Sequence, residues 1–574
     1  MIRLLKSLKP YIPQILLIVG LVFIQTIADL KLPDIMSNIV DTGVVNSDIP
    51  YIYKMGGTML IYTLIATLCS IIAGLFSARV ASGFSRDTRN KLFKHVESFS
   101  TNEFNTIGTS SLMTRTTNDV SQVQMAIFLT LRLVLSAPIM CVGGVIMALQ
   151  KDTSLSSLLL IVIPAIGVAI FFVARSVIPI FQKIQVKLDN LSRVFRERLV
   201  GFRVIRAYNR QDYEDKRFDV SNKDLTDTTI KVNRIMAVLM PLMNLFFSLM
   251  AIAITWFGAK RVDAGTLQVG NMMAFIQYAM QILMSLVMVS IIFVMLPRAA
   301  VSANRINEVL DIEPTIEDPK EKKVPSNLMG DIDFRNVTFS YPGAEKPVLY
   351  DISFSAKQGE TIAIIGGTGS GKSTLVNLIM RFYDVQKGGV IVDGIDIREM
   401  DQDVLRSRIG YVPQKSVLFS GSISDNIRYG KEDATDEELI AAAKTAQAYD
   451  FIMEKEDGFD SLIAQGGANV SGGQKQRLSI ARALVRKAEI YIFDDSFSAL
   501  DFKTDSNLRS AIKKDLGDAT VVIVAQRVST IMDADRILVL NEGRLVGTGS
   551  HEHLMKECDV YREIVLSQLS EEEI

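Results

Sequence analysis

The stretch that decides the fold of the C-terminal half is Thr361-Ile362-Ala363-Ile364-Ile365-Gly366-Gly367-Thr368-Gly369-Ser370-Gly371-Lys372-Ser373-Thr374. Its first five residues are apolar or β-branched and read as a buried strand. The run from Gly366 to Thr374 then has the spacing G-x-x-x-x-G-K-[ST], and Leu375, Leu378 and Ile379 follow on one face of a helix. Glycines at these places let backbone N–H groups converge on phosphates, and the helix N-terminus adds a favourable potential. On this reading Lys372 reaches the β- and γ-phosphates of a nucleotide, and the Ser373 hydroxyl ligates Mg²⁺. A second apolar strand, Ile490-Tyr491-Ile492-Phe493, delivers Asp494 at its C-terminal end, where an acid would hold that metal. The expected cofactors are ATP and Mg²⁺.

Working outward, short apolar strands alternate with helical patterns from Asp331 onward. That alternation predicts an α/β P-loop NTPase domain over 331–574 with a largely parallel sheet. The preceding segment, 311–330, is rich in charge and proline (Glu313, Pro314, Asp318, Pro319, Lys320, Lys322, Pro325) and reads as a linker. Residues 1–310 have a different character. Six nearly charge-free runs occur there: 10–28, 55–78, 120–150 (interrupted by Arg132), 153–174, 235–259 and 264–297. About 20 apolar residues cross roughly 30 Å of hydrocarbon, so an α-helical membrane domain with six transmembrane helices is expected. The basic residues Arg3, Lys6 and Lys9 predict a short helix on the inner membrane surface before a retained first span.

Loop charge sets the orientation. The second and third runs are joined by a connection carrying Arg79, Arg86, Arg89, Lys91, Lys94 and Arg115. The fourth and fifth are joined by one carrying Lys183, Lys187, Arg193, Arg196, Arg198, Arg203, Arg206 and Arg210. Both therefore face the cytosol, and an even number of spans leaves the C-terminal domain there as well. The expected location is a bacterial cell (inner) membrane, with membrane lipid as a partner. Within the connections, 100–105 and 201–207 read either as helix-helix turns or as docking elements for an ATP-binding domain. The 62 basic and 63 acidic residues give a net charge of -1, and nothing global points to a nucleic-acid partner. Cys69, Cys141 and Cys558 have neither disulfide nor metal-ligand spacing and read as small hydrophobes.

Val470-Ser471-Gly472-Gly473-Gln474, a short way before Asp494, closely resembles the signature motif of ABC proteins, normally Leu-Ser-Gly-Gly-Gln. Tyr341 resembles the aromatic residue that stacks on adenine, Gln414 the Q-loop glutamine that senses Mg²⁺ and contacts the membrane domain, and Ser498-Ala499-Leu500-Asp501 the D-loop. Six spans ahead of this domain make essentially the whole chain similar to an ABC exporter half-transporter. The resemblance implies that two such chains pair head to tail. Each ATP then lies between one chain's phosphate loop and the other's signature, and the 100–105 and 201–207 pieces would be coupling helices.

The chain departs from the family at two neighbouring functions. After Asp494 the family normally carries a catalytic glutamate, the base that polarises the attacking water, and here stands Asp495. Where the family has a switch histidine, this chain has Gln526. Gln465-Gly466 also replaces the usual Glu-Arg ahead of the signature. Lys372, Ser373, Asp494 and the signature remain intact. The pattern therefore implies the degenerate-site subunit of a heterodimeric exporter, paired with a second half-transporter whose catalytic site this chain's signature completes. Drugs or other small amphipathic compounds are the expected substrate. The alternatives are a lipid or lipopeptide exporter half, a regulatory ATP-gated subunit and a slow homodimeric transporter. The methionine-rich spans (Met236, Met240, Met243, Met250, Met272, Met273, Met280, Met284, Met288 and Met295, with Phe246, Phe247, Phe275, Tyr278 and Phe293) suit either an adaptable binding surface or ordinary helix packing. Asp29 and Arg132 mark either a pathway or snorkelling side chains.

Overall fold

This computed structural model describes Leu4, residues 6–325 and residues 328–569. A few side chains within its helices lie outside that description, among them that of Phe293. The chain forms two compact units. One comprises Met1–Glu97 and Gly108–Ile312, the other Ser98–Ile107 and Glu313–Ile574.

Among the described residues, six helices of the first unit are long and apolar enough to cross a membrane: Lys6–Val44, Ile49–Glu97, Thr109–Lys151, Ser157–Val200, Gln211–Asp263 and Val269–Val289. They run well past the apolar stretches. The helix Gln211–Asp263 has 53 residues; at 1.5 Å per residue it is about 80 Å long, far more than the hydrocarbon layer. Its first half is polar, so that half projects into water.

The third span is not a regular helix. It contains π-helical turns at Arg115–Asp119 and Thr130–Val134. Pro138 lies four residues beyond Val134 and has no N–H to offer its carbonyl, which accounts for the second irregular turn. Arg132 sits in that turn, exposed, and its guanidinium lies 3.3 Å from where a Cβ on Gly74 of the second span would be. About 28 Å of helix separates it from Lys151, which places it near the cytosolic side of the hydrocarbon layer. That depth is the one at which a long cationic side chain snorkels. Asp29 is half-buried.

Polar contacts tie the spans at their outer ends. Asp41 accepts hydrogen bonds from the backbone N–H groups of Gly270 (2.6 Å) and Asn271 (3.0 Å). It thereby satisfies free donors at the start of helix Val269–Leu310. Gly270 is required for this approach, because a Cβ there would stand 2.4 Å from the Ser37 carbonyl. Lys151 pairs with Asp34 at 2.7 Å, and the Tyr278 hydroxyl donates to the Leu30 carbonyl at 3.0 Å. The methionines divide. Met243 and Met250 pack with Phe275 and Tyr278 in the core of this unit, whereas Met236, Met240, Met273, Met280, Met284 and Met288 are exposed.

In the second unit the strands are β1 (Ile332–Phe339), β2 (Leu349–Ala356), β3 (Thr361–Gly366), β4 (Lys387–Val392), β5 (Ile395–Asp396), β6 (Ile409–Val412), β7 (Gly421–Ser422), β8 (Leu462–Ile463), β9 (Ile490–Asp494), β10 (Thr520–Val524), β11 (Arg536–Asn541) and β12 (Arg544–Gly549). Six of them make one sheet in the order β12-β11-β3-β10-β9-β6. It is parallel except for the β11–β12 pair. Successive residues of β3 serve opposite faces. Ile362 and Ile364 enter one hydrophobic core and Ala363 and Ile365 the other, so β3 is apolar throughout. The remaining larger sheet, β2-β1-β4-β5, is antiparallel, a layer that the sequence pattern did not announce.

Residues 98–107 belong to this second unit although they come from between two spans. They form the helix Thr101–Ile107. Glu103, only 5% exposed, accepts hydrogen bonds from the Ser100 N–H (2.8 Å) and from the Thr315 hydroxyl (2.9 Å). Burial works against its ionised carboxyl, yet the hydrogen bonds from Ser100, Thr315 and Asn102 outweigh it and hold the pKa below the ordinary glutamate value. Asn105 lies beside Tyr383 of the same unit. The other short piece, the helix Phe202–Ala207, belongs to the first unit and exposes Phe202 and Val204.

Candidate nucleotide site

Strand β3 stops at Gly366, where the chain must pass close to β11. A Cβ on Gly366 would lie 2.1 Å from the Leu540 carbonyl oxygen. Gly369 and Gly371 then take φ of +81° and +101°, a region open mainly to glycine. Gly367 and Gly369 have no heavy atom within 4 Å of a would-be Cβ, so their backbone faces open space. Lys372, at the head of helix Lys372–Ile379, folds back over this loop and donates to the carbonyls of Gly366 and Gly367, both at 2.8 Å. Burial lowers its pKa, against the pull of Asp495 and Asp494. The Ser370 hydroxyl is buried and has no hydrogen-bond partner among the described residues. A concave, glycine-lined loop with an orphaned hydroxyl and a cation at its mouth fits a nucleotide's phosphates.

Beside the loop, β9 carries Asp494 into the site with 4% exposure, and its Oδ1 accepts from the Ser373 hydroxyl at 3.2 Å. Burial raises the Asp494 pKa, Ser373 lowers it and Asp495 raises it further. Ser373, Asp494 and the Gln414 amide offer only oxygen donors, which suits Mg²⁺ completed by phosphate and water.

The three residues expected at the reacting end converge on one atom. Asp495 Oδ2 accepts from Gln526 Nε2 at 2.8 Å and from Gln414 Nε2 at 3.3 Å. Asp495 itself has a φ of +48°, and its N–H donates to the Val524 carbonyl at 2.9 Å. The strand end therefore makes a left-handed turn that aims the carboxylate between the two amides, and aspartate tolerates that turn better than most residues. Tyr341 stands at the other flank of the loop. Its ring meets Tyr383 edge-on at 5.2 Å and Phe339 at 5.0 Å, and its hydroxyl lies 3.0 Å from that of Thr374. Thr368 completes the exposed arc of the loop.

The signature residues are placed separately. Ser471 caps the helix Gly472–Leu484: its hydroxyl accepts from the Gln474 N–H, and the Gln474 side chain accepts from the Ser471 N–H at 3.0 Å. Ser471 and Gly472 are exposed, and Val470 is buried beneath them. Among the described residues, no hydrogen bond joins 470–474 to the chain's own phosphate loop. Asp501 caps the helix Phe502–Asp515 by accepting from the Thr504 N–H at 3.0 Å. Gly466 and Gly467 take φ of +64° and +71°, so glycine instead of an arginine relieves a strained turn. Sequence reasoning missed Tyr383, which packs against Tyr341, and Gln568, which holds the loop of Gln526. A lone polar or aromatic residue outside any motif gives no spacing signal.

A phosphate loop, a buried acid at a strand end of the same sheet and six membrane helices together define a membrane-embedded P-loop ATPase. Residues 15–286 match the model of the ABC transporter transmembrane region, and residues 349–498 match that of the ABC transporter family. The chain is 42% identical over 567 residues to an ABC transporter ATP-binding protein of Mycobacterium tuberculosis (strain CDC 1551 / Oshkosh), covering 98% of this chain and 97% of that one. It is 38% identical to the ABC transporter ATP-binding protein YfiB of Bacillus subtilis (strain 168), covering 99% and 98%. It is also 36% identical to an ATP-dependent lipid A-core flippase of Desulfotalea psychrophila, covering 83% of each chain. A bacterial Atm1-family ABC exporter with ATP bound shares the fold, with a TM-score of 0.81 over 98% of this chain and 99% of that one, at 24% identity. The chain belongs to the ABC transporter family, as an exporter half-transporter whose membrane domain is fused to its nucleotide-binding domain. It is an ATP-hydrolysing, multi-pass membrane protein with that domain in the cytosol.

Proposed function

We propose that this chain is the degenerate-site subunit of a heterodimeric exporter of drugs or other amphipathic compounds. One observation carries the reading. The acid after Asp494 is the short Asp495, and the residues engaging it, Gln414 and Gln526, are both neutral amides. An aspartate reaches about one C–C bond, roughly 1.5 Å, less far than a glutamate, and a misplacement of about 1 Å can cost on the order of 10²-fold in rate. Glutamine can donate a hydrogen bond to a γ-phosphate but cannot carry a proton as imidazolium does. Tyr341, residues 366–374, Gln414 and Asp494 would hold Mg–ATP in a site that turns over slowly. The exposed Ser471 and Gly472 and the half-buried Gly473 and Gln474, with Val470 and Asp501, would complete the competent site of a partner half-transporter.

The test compares ATP hydrolysis by this chain purified alone in lipid with that of the chain co-purified with a second half-transporter. Low activity alone and high activity together is the expected result. Brisk hydrolysis and transport in vesicles containing this chain as the only subunit would overturn the reading. A second reading, export of a lipid, is favoured by the likeness to lipid A-core flippases. Vesicles carrying a fluorescent phospholipid in one assay and an amphipathic dye in another separate the two.

A further inference from the structure

The loop that carries Gln526 is held from the far end of the chain. The Gln568 carboxamide makes two hydrogen bonds to its main chain: Nε2 donates to the Gln526 carbonyl at 2.8 Å, and Oε1 accepts from the Val528 N–H at 2.9 Å. One planar amide thus pairs with the backbone on both sides of Arg527, as a neighbouring β-strand would. Its base is firm. Gln568 follows the helix Asp559–Leu566, whose Tyr561 and Val565 are both 0% exposed, and its own N–H donates to the Val565 carbonyl at 3.0 Å. On the loop side, Val528 is 0% exposed and Gln526 reaches Asp495 at 2.8 Å.

We propose that Gln568 is the positioning residue of this loop, a clip that fixes the backbone of Gln526 so that its side chain stays aimed at the γ-phosphate end of the site. This goes beyond the degenerate-site reading but rests on one part of it, that Gln526 faces the γ-phosphate. The Gln568 side chain is itself exposed, so its loss leaves the core of the domain intact. The clip acts on a residue that tells ATP from ADP, which gives it a distinctive readout.

The experiment uses the full chain in lipid, with any subunit that accompanies it. It measures equilibrium binding of fluorescent ATP and ADP analogues with Mg²⁺, and hydrogen exchange at the Val528 amide. Gln568→Met keeps the side chain's length and removes both hydrogen bonds. It should speed exchange at Val528 and weaken ATP binding by about tenfold or more, the scale of one hydrogen bond to a charged group, with ADP binding within about twofold. Gln568→Glu keeps the acceptor for the Val528 N–H but sets an oxygen against the Gln526 carbonyl, and should weaken ATP over ADP as well. Unchanged exchange at Val528, unchanged ATP binding, or equal loss of ATP and ADP binding would each overturn the proposal. Gln526→Ala separates the two readings. If it leaves ATP binding untouched while Gln568→Met weakens it, the γ-phosphate role of Gln526 falls, and the clip stands as a constraint on the loop. If neither variant alters ATP binding, both fall.

Discussion

Replacing Asp495 by glutamate tests the active-site reading most directly. The Asp495 carboxylate lies between Gln526 at 2.8 Å and Gln414 at 3.3 Å, and one more methylene advances it by about 1.5 Å. Because a displacement of about 1 Å is worth on the order of 10²-fold in rate, Asp495→Glu should accelerate hydrolysis at this chain's own site by about 10 to 10²-fold. That corresponds to about 1.4 to 2.7 kcal/mol of barrier. There is an opposing cost in stability. At a φ of +48° glutamate is less at ease than aspartate, and the strain is of order 1 kcal/mol, too little to unfold the domain. The assay is single-turnover phosphate release, with ATP limiting, from the full chain in lipid. Asp495→Asn serves as the control, because it preserves length and removes the charge, and should give no acceleration. A glutamate variant no faster than the unmodified chain, or an asparagine variant equally accelerated, would refute the argument that reach limits this site.

Three further outcomes follow from the geometry. Gly366→Ala forces a Cβ to within 2.1 Å of the Leu540 carbonyl and should destabilise the domain by about 2 kcal/mol or more; Gly367→Ala, with open space around it, should fold normally but bind ATP weakly, as calorimetry and nucleotide titration would show. Tyr341→Ala should weaken adenine nucleotides by about 1–3 kcal/mol, the worth of one aromatic stack, while Tyr341→Phe loses only the contact with Thr374 and should stay close to the unmodified affinity. Glu103→Ala should leave ATP hydrolysis largely intact while reducing transport in vesicles. The folded-state pKa of Glu103 lies below its ordinary 4.5, so its stabilisation is present above that value and fades as pH falls through the lowered one. The melting-temperature gap between Glu103→Ala and the unmodified chain should therefore narrow only in acid.

Much of this architecture was legible because it is periodic or charge-segregated. Six apolar runs announce six spans, and a strand buried on both faces, such as β3 or β9 as far as Phe493, reads as a continuous apolar run. The phosphate loop is legible because close approach and positive φ restrict the residue type at Gly366, Gly369 and Gly371. What was hidden depends on contacts between distant positions. Nothing near Gln568 in sequence points to Gln526, 42 residues away, and nothing in 98–107 reveals that Glu103 would be buried against Thr315. The antiparallel layer β2-β1-β4-β5 also stayed out of view. Two of its strands mix buried with half-exposed residues and so lack the continuous apolar signature. That Gln414 and Gln526 share a single oxygen of Asp495 is a fact of three dimensions.

The polypeptide passes between its two units three times, after Glu97, Ile107 and Ile312. Each crossing is a covalent tether, and Gly108, at a φ of +79°, stands beside the second. A protease nick between 316 and 325 would sever only the last tether. Residues 98–107 would stay lodged in the C-terminal unit, and the two fragments should travel together until a denaturant parts them.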